Sequence, residues 1–86
     1  MKKHVNMAYY REQDYSRLLS IVSDREKMHN SWHEWHQEFL SVKRRLSQSG
    51  LIVQEYEVDL DELIRFCFQK GLPIDGNARS QFVTRL

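Results

Sequence analysis

The chain has one cysteine, one proline and three glycines in 86 residues. Each scarcity removes a class of protein. A lone Cys67 permits no internal disulfide and no Cys-x-x-Cys motif, which favours a reducing cytoplasm over a secreted setting. So little glycine and proline leaves no glycine-rich phosphate cradle, no flexible linker and no low-complexity segment. No apolar run approaches the roughly 20 residues of a membrane span. The start "MKKHVNMAYY" is basic but is followed by no apolar segment, so a secretory leader is not expected. An excess of one charge is missing too. The formal net charge is +1, far from the footprint of a dedicated nucleic-acid binder.

What is present reads as one small soluble domain, 1–86, with 41% hydrophobic and 12% aromatic residues. Its charge is uneven. Residues 1–45 hold nine Lys/Arg against six Asp/Glu, and residues 46–86 hold four against six. That dipole could orient a partner or favour self-association.

The hydrophobic period changes along the chain. Val5, Met7 and Tyr9 alternate with His4, Asn6 and Ala8, which predicts a short strand. Tyr15, Leu18, Leu19 and Val22 then follow helical spacing, with Asp14 placed to cap the helix. "SDREKMHN" breaks the pattern, and the Ser23/Glu26 spacing allows one extra turn. Ser31 and Glu34 form a capping box that opens onto a stripe of Trp32, Trp35, Phe39, Val42 and Leu46. With Lys43, Arg44 and Arg45 near its end and Gly50 as a stop, a helix is predicted over 31–49.

"LIVQEYEV" is rich in strand formers and predicts a second strand. Its dry face would carry Ile52, Tyr56 and Val58, with Glu55 and Glu57 turned to water. Asp59 and Glu62 repeat the capping box before a helix with Leu60, Leu63, Ile64 and Cys67 at core spacing. Phe66 and Phe68 flank that stripe, so this helix is expected to be covered on two sides. Gly71 and Pro73 end it, and Asp75 can cap a last helix lined by Ala78, Phe82 and Leu86. The expected fold is α+β and mainly helical, about four helices and two short strands in the order β-α-α-β-α-α. Two strands alone leave both outer edges open, to be shielded by helices or extended by a second copy.

Three clusters could carry function. His33 and His36 are three apart on a helix, a spacing at which two imidazoles can reach one metal ion. No cysteine or carboxylate completes a recognised motif around them, and flank histidines that half cover a core are far commoner. Trp32 and Trp35 could form a stacking platform, but with Phe39 they keep the phase of the apolar stripe and read as core or protein interface. Lys43, Arg44 and Arg45, with Arg79 and Arg85, could touch phosphates. The competing reading is a solvated, dipole-complementing helix end. The run "EYEVDLDE" has capping roles to explain its acids and no glycine to turn a calcium loop. No set of nucleophile, base and oxyanion donor is recognisable, so no enzyme and no cofactor are expected.

At "DYSRLL", "SWHEW", "VDLDELIRFC" and "GLPIDGNAR" the chain resembles a group of short uncharacterised bacterial proteins. They share a Ser/Thr-Trp-x-x-Trp helix and a C-terminal Gly-Leu-x-x-Asp-x-x-Ala-Arg segment. The resemblance spans nearly the whole chain and implies a bacterial origin, with no known activity, cofactor or partner. The expectation is therefore a cytoplasmic, non-enzymatic protein-interaction module acting as a homodimer with a further protein partner. The alternatives are a nucleic-acid-associated accessory using the Lys/Arg patch, or a metal-binding protein using the helix histidines.

Overall fold

In the computed structural model, which describes residues 3–85, the elements follow the expected order. They are β1 (His4–Tyr9), α1 (Glu12–Ile21), a 3-10 turn (Arg25–Lys27), α2 (Trp32–Gln48), β2 (Ile52–Glu57), α3 (Leu60–Lys70) and α4 (Gly76–Thr84). The protein is α+β and mainly helical. β1 and β2 form a two-stranded parallel sheet in which His4 is opposite Ile52 and Tyr9 is opposite Glu57. Among the described residues no helix is long and apolar enough to cross a membrane.

The helix ends follow from their side chains. Ser31 accepts the backbone N–H of Glu34 at 3.2 Å and starts α2 where the capping box placed it. Asp59 accepts from Asp61 and Glu62, and Asp75 accepts from Ala78. Gly71 ends α3 in the left-handed region at φ 67°, where a Cβ would be strained.

The sheet is covered on both faces. Tyr9 meets Trp35 and Phe39 of α2 edge-on at 5.8 and 5.6 Å. On the other face Tyr56 meets Phe82 of α4 at 5.9 Å, and the Asn6 side chain donates to the carbonyl of Val83 at 2.7 Å. The main core lies between that face and α1, α3 and α4. Leu18, Leu63 and Phe82 are 0% exposed there, packed with Tyr15, Val58, Leu60, Cys67, Ala78 and Val83.

Four expectations need correction. Asp14 does not cap α1. The helix starts earlier, after an extended Arg11, and the Asp14 carboxylate receives the Arg11 guanidinium at 2.9 Å. The extra turn forms, but without a side-chain cap, because the carboxylate of Asp24 before it is engaged by α4. α3 is not covered on two sides: Phe66 packs on Phe82 at 5.5 Å, whereas Phe68 is 87% exposed. The face of β2 is dry only in part. Val58 is buried and Tyr56 half-buried, but Ile52, four residues back from the Tyr56 that Phe82 covers, is 38% exposed. Ala78 and Phe82 are buried as expected, and Leu86 lies outside the described residues.

Candidate functional site

The site follows from how a parallel ladder divides its hydrogen bonds. Each residue of such a strand turns both backbone groups towards the partner, and the next turns both away. At the two ends of the sheet Ile52 donates to the carbonyl of Lys3 and Val58 donates to that of Tyr9. Odd-numbered residues of β1 therefore face β2. His4, Asn6 and Ala8 present their N–H and C=O groups to the opposite edge, where no further strand stands among the described residues.

The Asn6–Ala8 part of this edge lines a groove of about 370 Å³. Trp35, Phe39 and Val42 of α2 form one wall, and Ser80 and Val83 of α4 form the other. Met7 and Ala8 line it from the strand. Exposed Lys27 and Glu38 stand at its margins. The far end is closed at Tyr10, whose outward carbonyl accepts the Trp32 indole N–H at 2.7 Å. Burial pushes the Tyr10 hydroxyl up to about 12, against the pull of nearby Arg79.

The width of the groove is fixed from two sides. The Asn6 amide binds α4 to β1 through Val83, 77 positions away. Below it, Arg79 and Asp24 form a bidentate pair with two bonds of 2.9 Å, both side chains close to buried at 12% and 13% exposure. Asp24 also accepts the Gly76 N–H at 3.1 Å, so one carboxylate ties the 3-10 turn to the start of α4. The Arg79 hydrogen bond holds the Asp24 carboxyl below its ordinary range. Burial works against the charge on Arg79, but the hydrogen bonds it donates to Asp24 and the surrounding acids more than restore it.

The residues singled out in the sequence fall in different places. Phe39 is 4% exposed, and Trp35 is half-buried among Tyr9, Tyr10, Tyr15 and Phe39. The stripe thus packs on its own chain, and Trp35 and Phe39 reach the surface as one wall of the groove. Trp32 stacks on His36 at 4.5 Å and 12°. His36 is also stacked against Phe39 at 6.1 Å, whereas His33 is 80% exposed and faces Glu12 at 3.7 Å. Among the described residues no group of three or more His, Cys, Asp or Glu side chains is placed to hold a metal ion.

Four of the five basic residues already face a carboxylate. Arg79 is committed to Asp24, Lys43 lies 3.3 Å from Glu55, and Arg45 lies 3.9 Å from Glu38. Arg85 reaches Glu62 at 3.8 Å and rests over the Phe82 ring at 4.3 Å. Arg44 is exposed. A carboxylate beside four of the five would repel an incoming phosphate.

Sequence reading missed the groove itself and Asp24. The alternation of β1 carried some of the signal, since Asn6 and Ala8 sit on the rungs that turn outward. Nothing in the sequence joins Asp24 to an arginine 55 positions later. Comparison with known proteins returned no match: no family model, no curated protein and no solved structure matches this chain.

Proposed function

We propose that this chain is a small non-enzymatic protein-interaction module that grips another polypeptide in the groove between α2 and α4. One observation carries the reading: the outward edge of β1 lies open there, with apolar side chains from both helices beside it. Backbone groups at a free strand edge are a ready template for another chain. The walls add apolar surface that a partner can cover. The buried free thiol of Cys67 supports a cytoplasmic setting for this role.

The test is selection of random peptides of about twelve residues displayed against the folded full chain. A selected peptide should bind the parent and lose about tenfold or more of its affinity for Ser80→Trp, in which an indole fills the groove from α4. Ser80 is exposed, so the variant should keep the circular dichroism of the parent. Failure to select any peptide, or equal binding to the variant, would sink the proposal.

Self-association has separate support in Phe68, an aromatic ring 87% exposed on α3. Light scattering at micromolar concentration should then give the mass of two chains, falling to one in Phe68→Ser. A single-chain mass for the parent retires the homodimer.

A further inference from the structure

We infer that the occupant of the groove is an extended segment of another chain, which joins the sheet as a third strand on β1; this rests on the groove reading above. The first reason is electrostatic complementarity along the edge. His4, Asn6 and Ala8 offer donor and acceptor partial charges in pairs that recur every second residue. Only another extended backbone repeats that spacing, because a helix uses its own N–H and C=O groups internally.

The second reason is the pair of walls. A third strand would point alternate side chains to the two faces of the sheet. One set would meet Trp35, Phe39 and Val42, and the other would meet Ser80 and Val83. The partner is therefore a segment with apolar residues at every second position on the α2 side. Trp32 sets its limit: the Tyr10 carbonyl, next in phase after Ala8, is already engaged by the indole, so the new ladder stops at Ala8.

The third reason concerns what does not fit. In a second copy the same edge is recessed between the same two helices. Pairing two such edges would bring the α2 and α4 of one copy against those of the other. A lone strand has no walls of its own and enters freely.

The experiment uses the ¹⁵N-labelled full chain with a display-selected peptide as the probe. In the free chain the Asn6 and Ala8 amides should exchange with solvent quickly, while Met7 and Tyr9, bonded to β2, exchange slowly. Saturation with the peptide should slow Asn6 and Ala8 by about tenfold or more and leave Met7 and Tyr9 little changed. N-methylation along the peptide should abolish binding at alternate positions and be tolerated between them. Unchanged Asn6 and Ala8 exchange, with binding still lost in Ser80→Trp, would overturn the third strand and leave the groove reading standing. If Ser80→Trp also binds normally, both readings fail. Protection of Asn6 and Ala8 that rises with chain concentration in the absence of peptide would assign the edge to a second copy and overturn the proposal.

Discussion

Replacing Phe82 by alanine is expected to cost about 4 kcal/mol, most of the stability that a domain of this size holds. The ring is 0% exposed and is the largest of the fully buried side chains. It touches Tyr56 of the sheet at 5.9 Å and Phe66 of α3 at 5.5 Å, both edge-on, and Arg85 stacks above it at 4.3 Å. Its removal therefore opens a cavity where a strand and two helices meet. A chain this short holds total stability near the low end of about 5–15 kcal/mol, so one such cavity consumes most of it. Urea denaturation followed by circular dichroism checks this. The midpoint should fall steeply in Phe82→Ala and by about half as much in Phe82→Leu, whose side chain refills part of the volume. A loss below about 1 kcal/mol for the alanine variant would show that the three elements do not depend on this contact.

Arg79→Met should cost about 3 kcal/mol, because it strands a carboxylate that is only 13% exposed. Asp24 would lose both guanidinium bonds, leaving the Gly76 N–H as the donor to its carboxylate from α4. Arg79→Lys should recover little, since an ammonium cannot match the two-pronged geometry. The double variant Asp24→Asn/Arg79→Met should be more stable than the sum of the single losses, because neither charge is then left without its partner.

The pair also predicts a pH dependence. The folded-state pKa of Asp24 is depressed below the ordinary 3.8. Its stabilisation is therefore complete above that value and is lost as pH falls through the folded-state pKa. The parent should lose stability in acid through this window, and Arg79→Met should lack that component. Asp61 is also depressed, by Arg17, but both partners are exposed, so salt screens their contribution. Denaturation between pH 7 and pH 2 in high salt isolates Asp24. Parallel pH profiles of the parent and Arg79→Met would refute the assignment.

Much of the scaffold was legible because it is written locally. The capping box at Ser31, the acid at Asp59 and the cap at Asp75 each act within three residues, and each starts its helix where the spacing indicated. The Trp/Phe stripe was legible as an apolar face, but not which surface it would meet. That surface is the side chain of Tyr9, brought from β1 by the sheet. The groove was illegible for the same reason. Which backbone groups of β1 turn outward depends on its register with β2, and register is fixed only when the intervening helices have packed. Arg79 is the plainest case. Its residue type alone suggested phosphate, and only the fold brings Asp24 beneath it. Phe68 misled in the opposite sense. Its apolar character implied cover, and α3 packs through its other face.

The bond from Asn6 to Val83 has a consequence for when the groove comes into being. One wall and one strand come from opposite ends of the chain, and β1 finds its partner strand more than half the chain away. Closing such a large loop is entropically costly before any contact rewards it, which makes long-range parallel pairing a slow step in folding. During synthesis the groove cannot assemble until α4 has emerged. A nascent or truncated chain can form α2 with its cap, yet it holds no recessed edge for a client. The capacity to bind is thus gated by the emergence of α4, and a molecule that lacks it cannot engage a partner through this surface.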